Sequence, residues 1–244
     1  MHFFLRDLRL GHVPKDAATA FPFTIPAIKN LGRLELHPGV TFFVGENGSG
    51  KSTLIEALAI KAGFNAEGGT KNFWFAARPS ESNLSHHLVV WRGVRRERGG
   101  FFLRAETMFN VSTEAEAFRE YGWDDLHAKS HGEAFLWVIE NRFGPQSLFI
   151  LDEPEAALSP QRQLALLGLI HKHVKRGCQF VIATHSPILM AYPQATIYCL
   201  DGDGINPIEY KLTEHYAVTK AFLLDPARML NGLLAAGEAD EEEE

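Results

Sequence analysis

Gly45-Glu-Asn-Gly-Ser-Gly-Lys-Ser52 follows directly on Val40-Thr-Phe-Phe-Val44 and runs into the helical pattern Ser52–Ala62. The first run is short, β-branched and aromatic, and reads as a buried strand. The chain must therefore pass from strand to helix through a loop that holds Gly45, Gly48 and Gly50. Glycines there let the backbone curl so that successive N–H groups face one point, which suits phosphate oxygens. The helix N-terminus behind the loop adds partial positive charge. Lys51 then reaches the outer phosphates of a nucleotide, and Ser52 offers its hydroxyl to Mg²⁺. With strand, loop, lysine, serine and helix in this order, a chance glycine-rich turn is a poor account.

The remainder alternates in the same way. Leu148-Phe-Ile-Leu151, Phe180–Ala183 and Thr196–Leu200 are apolar runs of strand length, as expected for the centre of a parallel sheet. Ser159-Pro160 supplies an N-cap and a first-turn proline for a helix with Leu164, Leu167, His171 and Val174 on one stripe. Another helix follows Gly132, with Phe135, Leu136, Ile139 and Phe143 at helical intervals. Thr113 and Glu116 have capping-box spacing and open a helix through Tyr121. His87–Trp91 and Phe101–Arg104 are expected as the arms of a hairpin around an Arg/Gly-rich turn. The fold class is α/β, a mostly parallel sheet flanked by helices.

The 244 residues have room for one domain of this kind, expected over residues 1–236. No apolar run is long enough to cross a bilayer, and the charges of Arg6 and Asp7 come too early for a secretory leader. Cys178 and Cys199 lie in apolar segments without metal spacing, the pattern of reduced thiols in a cytoplasmic protein. Six carboxylates crowd Glu238–Glu244 and are expected to keep residues 237–244 a disordered acidic tail. They account for the whole formal net charge of -6, so the body is near neutral and bulk charge does not select a partner.

Asp152 and Glu153 stand at the carboxyl end of their strand, the edge where open α/β sheets hold ligands. Asp152 is expected to hold Mg²⁺ through its water shell, and Glu153 to orient and polarise an attacking water. An acidic turn before Pro154 would be ordinary by itself; beside a phosphate loop it points to hydrolysis. His185, in Ala183-Thr-His-Ser-Pro187, ends another strand at the same edge and could donate to a γ-phosphate. The other histidines read as structural.

Gly45–Thr53, Asp152-Glu153-Pro154 and Thr184-His185-Ser186, in this order, resemble the head of ABC-type P-loop ATPases. The resemblance implies an antiparallel β portion and a helical lobe at about 107–143 beside the parallel sheet. It implies ATP and Mg²⁺ as cofactors, with Glu46, Asn47, Ser49 and Thr53 joining the glycines, Lys51 and Ser52 around the nucleotide. Ser52 and Asp152 become the metal residues, and Glu153, His185 and Lys51 the catalytic ones. The family's signature segment falls on Ala128–Glu133, where Ser130, Gly132 and Glu133 would meet the γ-phosphate bound by a second copy. Ser130 could equally be a simple helix cap. The implied enzyme hydrolyses ATP as an ATP-sandwiched homodimer that works on an unidentified protein partner or on nucleic acid.

The wording Asp152-Glu-Pro-Glu-Ala-Ala-Leu-Ser-Pro160 is closer to RecF/OLD-like, AAA-labelled stand-alone ATPases than to transporter subunits. Glu106 stands near where transporter subunits carry glutamine, and residues 63–129 hold no sustained heptads for a coiled-coil arm. The alternative is a transporter's nucleotide-binding subunit, docked on a separate membrane protein without entering the bilayer. Arg92, Arg95, Arg96, Arg98 and Arg104 read first as a solvated turn and second as contacts to a nucleic-acid backbone. Phe21 and Phe23 lie where the family stacks an aromatic on adenine, but their apolar surroundings favour core packing.

Overall fold

The computed structural model describes residues 3–70, 83–104, 131–142 and 144–241. The chain divides into a large unit, Met1–Pro207, and a small one, Ile208–Glu244. The expected helix from Thr113, the hydroxyl of Ser130, Glu106 and Phe143 lie outside the described residues.

In the large unit, strand β1 (Leu5–Leu10) is followed by a 3₁₀ turn (Ala17–Thr19), a short helix α1 (Pro26–Lys29), and strands β2 (Leu34–Glu35) and β3 (Val40–Val44). Helix α2 (Lys51–Ala62) follows, then β4 (Gly69–Thr70), α3 (Leu84–His87), β5 (Leu88–Arg92) and β6 (Gly99–Leu103). Next come α4 (His131–Arg142), β7 (Ser147–Asp152), α5 (Pro160–Lys175), β8 (Gln179–Ala183), α6 (Pro187–Met190), β9 (Thr196–Leu200) and β10 (Ile205–Pro207). The main sheet has the order β10-β9-β3-β8-β7-β6-β4. Its inner strands β9, β3, β8, β7 and β6 run parallel, and β10 and β4 close the edges antiparallel. Every residue of β3, β7 and β8 is buried, which explains why they read as continuous apolar runs rather than alternating ones.

A second, antiparallel sheet has the order β2-β1-β5. The expected hairpin between residues 87 and 104 does not form, because its two arms belong to different sheets. Strand β5 pairs antiparallel with β1, whereas β6 pairs parallel with β7. Gly100 allows that second pairing: a Cβ there would lie 2.5 Å from the Leu148 carbonyl oxygen and 2.7 Å from the Phe64 ring. Arg92 and Glu97 hold the turn between the strands with a two-pronged ion pair at 2.6 and 2.7 Å.

Gln179, at the start of β8, fastens the two sheets to each other. Its side-chain oxygen accepts from the Phe4 and Leu5 amides, and its nitrogen donates to the Leu5 and His37 carbonyls. A fully buried amide with both ends engaged is costly to replace, since any apolar substitute strands backbone groups of β1. Phe149 and Phe180 stack at 4.5 Å between β7 and β8.

Helix α2 is buried on more than one face, through Leu54, Ile55, Ala57, Leu58, Ala59 and Ala62, and it ends on Gly63 at φ 91°. Helix α5 keeps its expected Ser159 cap and Pro160, but its buried stripe is Leu166, Ile170 and His173. The expected stripe is thus rotated, and Leu164 is exposed. Both sets have helical spacing, and only the sheet beside the helix selects one. Phe135 and Ile139 of α4 are buried as expected, together with Val138.

The small unit consists of a 3₁₀ turn, Tyr210–Leu212, and helices α7 (Glu214–Leu224) and α8 (Pro226–Glu241). Thr213 caps α7 by accepting from the Tyr216 amide, and Asp225 accepts from the Arg228 amide just ahead of Pro226. The division therefore falls after Pro207, where the sequence suggests no boundary, and α8 continues to Glu241, into the stretch expected to be disordered.

Candidate functional site

The parallel strands end together. Thr184 donates its amide to the Phe43 carbonyl at 3.1 Å, and Glu153 donates to the Ala183 carbonyl at 2.9 Å. The segments that follow β3, β8 and β7 are therefore brought to one edge, with β8 in the middle.

After β3, Gly45, Gly48 and Gly50 take φ values of 145°, 80° and 100°, a region that side chains disfavour. A Cβ on Gly45 would also lie 2.4 Å from the Leu200 carbonyl oxygen. Lys51 begins α2 with its side chain buried under this loop. Its Nζ donates to the carbonyls of Gly45 and Glu46, each at 2.8 Å. Burial lowers its affinity for the proton, and the carboxylates of Glu153, Asp152 and Glu155 oppose that effect. Ser49 Oγ is buried in the loop without a hydrogen-bond partner. An ammonium and an unmatched hydroxyl inside a glycine-rich loop ahead of a helix N-terminus suit a polyphosphate.

Ser52 Oγ donates to Asp152 Oδ1 at 3.1 Å, joining the first turn of α2 to the end of β7. Asp152 is pushed up to about 7, first by burial and second by the neighbouring Glu153; the Ser52 bond and Lys51 act against this. A buried carboxylate so poorly compensated is suited to a cation. The described residues contain no group of three or more His, Cys, Asp or Glu that could enclose a metal. Mg²⁺ held by Ser52 and Asp152 would need its other ligands from phosphate and water, as this ion commonly does.

Glu153 adopts φ 46° and ψ 54°, an uncommon conformation for a residue with a side chain. Its Oε1 lies 3.4 Å from His185 Nε2, and both side chains are partly open to solvent. Glu153, His185, Lys51, Ser52 and Asp152 are thus all found at the one edge expected from the sequence.

Glu155 was not singled out by sequence reasoning. Its Oε1 accepts the His185 amide at 2.6 Å, and burial raises its proton affinity while that hydrogen bond opposes the rise. Its other oxygen is buried without a partner. The repeated acid in Glu153-Pro-Glu155 was the available signal. Behind it, Ser186 Oγ donates to Gln163 Oε1 and accepts from the Ile188 and Leu189 amides, fixing the turn after His185.

Gly132 and Glu133 lie in the first turn of α4, which starts at His131 rather than after Gly132 as expected. Of the five arginines, Arg92 is paired with Glu97, and Arg104 lies 3.2 Å from Glu56. Arg95, Arg96 and Arg98 are exposed. Phe23 is in the core, but Phe21, expected there too, is 66% exposed. Ile25, just after it, lies against Gly50 of the loop.

Two family models match the chain, "AAA domain" over residues 25–77 and "AAA domain, putative AbiEii toxin, Type IV TA system" over residues 134–191. The cytochrome c biogenesis ATP-binding export protein CcmA of Rhodospirillum rubrum is 28% identical over 184 residues, covering 69% of this chain and 77% of that protein. CcmA of Rhizobium etli is 28% identical over 161 residues, with 59% and 74% covered. Among solved structures, cbiO1 from Clostridium perfringens, part of the ABC transporter complex cbiONQ, has a TM-score of 0.48 at 18% identity. That likeness covers 96% of this chain and 100% of the other. The SMC head domain from Thermotoga maritima has a TM-score of 0.47 at 16% identity, covering 84% and 99%. The phosphate loop, the Ser52–Asp152 pair and the acidic strand end with its histidine lie in or beside the segments that the AAA models match, and in these features the chain is similar to P-loop ATPases of the ABC type.

Proposed function

We propose that the chain hydrolyses ATP to ADP and phosphate and works as a homodimer with ATP held between two copies. The observation that carries this reading is the Glu153–His185 pair, 3.4 Å apart at the edge that also holds Lys51. Mg²⁺ bound by Ser52 and Asp152 would neutralise phosphate charge and orient the outer phosphates. Lys51 exchanges its loop carbonyls for phosphate oxygens and stabilises charge on the bridging oxygen as it leaves. Glu153 accepts a proton from water at its carboxylate while the water oxygen forms its bond to the γ-phosphorus and the bond to the β-phosphate oxygen breaks. His185 Nε2, which faces Glu153, would turn its single N–H to a γ-oxygen when ATP is bound. Ser130, Gly132 and Glu133 would act from the second copy, at the N-terminus of its α4.

Glu153→Gln tests this reading. Turnover should fall at least about a hundredfold, and ATP should hold the variant as a stable dimer. Turnover at the wild-type rate would remove Glu153 from the mechanism.

A second reading, a transporter's nucleotide-binding subunit, draws on the relatives that are ATP-binding export proteins. Stimulation of turnover by a membrane protein partner would favour it. Stimulation by DNA that is lost in Arg95→Glu/Arg96→Glu would favour nucleic acid as the object of the cycle.

A further inference from the structure

A groove of about 830 Å³ lies in the large unit, at the end of the main sheet away from the phosphate loop. Thr196, at the start of β9, pairs with Thr41 early in β3, and the groove is lined by Thr196 and by His37, just ahead of β3. Its volume is within the range of small-molecule sites, about 300–1,000 Å³. Hydrogen bonds fix its walls. The Gly93 amide donates to the Phe4 carbonyl at 3.1 Å, and the Leu36 amide to the Arg6 carbonyl at 2.8 Å. The Tyr198 hydroxyl donates to the Glu35 carbonyl at 2.8 Å. Phe3 and Leu36 supply apolar surface, and Val94 stands at the rim, fully exposed.

Three donors line the same groove. Arg6 is the extra residue of a β-bulge: Leu5 pairs with Arg92 and Asp7 with Trp91, which leaves Arg6 out of the ladder. Arg95 is exposed and has no ion pair among the described residues. His37 Nδ1 accepts from the Gly39 and Val40 amides at 3.0 and 3.1 Å, so the neutral ring carries its proton on Nε2, as a donor. Burial lowers the proton affinity of this ring and keeps it neutral. The charges around the groove do not cancel. Arg33 lies 3.2 Å from Asp7 and 3.9 Å from Glu35, and Arg6 lies 3.7 Å from Asp7, beyond hydrogen-bond distance. Two carboxylates thus face these two guanidinium groups, and Arg95 is left over. We propose that this groove binds a small organic monocarboxylate, its charged end on Arg95, Arg6 and His37 and its apolar body against Phe3, Leu36 and Val94. One uncompensated positive charge matches one carboxylate, whereas a nucleic-acid backbone calls for a longer row of cations.

This site is separate from the phosphate loop and does not rest on the hydrolysis proposed above. Isothermal titration calorimetry of the full chain with 2-naphthoate, in EDTA and without nucleotide, should give one site per chain. Its Kd should be on the order of 100 µM or tighter. 2-Naphthalenemethanol, which keeps the rings and loses the charge, should bind at least about tenfold more weakly. Arg6→Gln/Arg95→Gln should also weaken 2-naphthoate at least about tenfold. Both positions are exposed, and an unaltered melting temperature checks the folding of the variant. ATP with Mg²⁺ should leave the affinity for 2-naphthoate unchanged. The proposal is overturned by the absence of saturable binding up to about 2 mM, by equal affinity for the alcohol, or by a variant that binds as the wild type does. Competition by ATP would place the probe in the phosphate loop and overturn it too. A short DNA duplex that binds where 2-naphthoate does not, and is lost in the same variant, would overturn it in favour of a polyanion.

Discussion

Asp152 gives the most quantitative test of the site. Its carboxyl is pushed from 3.8 to about 7, first by burial and second by Glu153. A folded-state pKa above the unfolded one means that the unfolded chain gives up this proton first. Stability is therefore unaffected by this group below about pH 4, falls as pH rises, and reaches its full loss above about pH 7. A shift of this size corresponds to about 4 kcal/mol. Asp152→Asn keeps a carbonyl oxygen to accept from Ser52 and removes the charge. Urea unfolding of both proteins from pH 4.5 to 8, without nucleotide or metal, reads the difference. The variant should gain on the wild type with rising pH, by up to about 4 kcal/mol. Glu155 is also raised by burial and acts on Asp152 through its charge, so the substitution relieves Glu155 as well and adds to the difference in the same direction. Mg²⁺ with ATP should narrow the gap by stabilising the ionised wild type, while the variant binds them poorly. Parallel stability curves would refute the idea that a buried, ionisable Asp152 awaits a cation.

Lys51→Ala should weaken ATP binding at least about tenfold in equilibrium titration, because the ammonium bound to the Gly45 and Glu46 carbonyls is lost. Gly45→Ala must accommodate a Cβ 2.4 Å from a carbonyl oxygen at φ 145°, so thermal unfolding should show a loss of about 2–4 kcal/mol. Glu155→Ala should lower kcat about tenfold or more with little change in ATP affinity, and Glu155→Gln should recover most of it, since the amide still accepts from the His185 amide. Phe21→Ala should raise the Kd for ATP about tenfold if the exposed ring stacks on adenine, and an unchanged Kd in titration would leave the ring without that role.

The parallel core was legible because β3, β7 and β8 are buried on every residue, which leaves an apolar run that no other short element explains. The phosphate loop was legible because its glycines serve backbone geometry rather than packing. Pairing partners were not legible: residues 88–92 and 99–103 both look like strands, and nothing local says that they join separate sheets. The stripe of α5 failed for a related reason, since periodicity fixes the spacing of a buried face but not its phase. Glu155 was overlooked because its role lies in a contact across thirty residues, to the amide of His185.

The amide of Gln179 grips β1 at one end of the strand whose other end leads to His185. Six residues of extended chain separate them, a span of roughly 20 Å. That strand is hydrogen-bonded on both sides, to β3 and to β7. The antiparallel sheet, whose β1 carries Arg6 and Arg9, is thus joined to the segment of the histidine through one continuous strand.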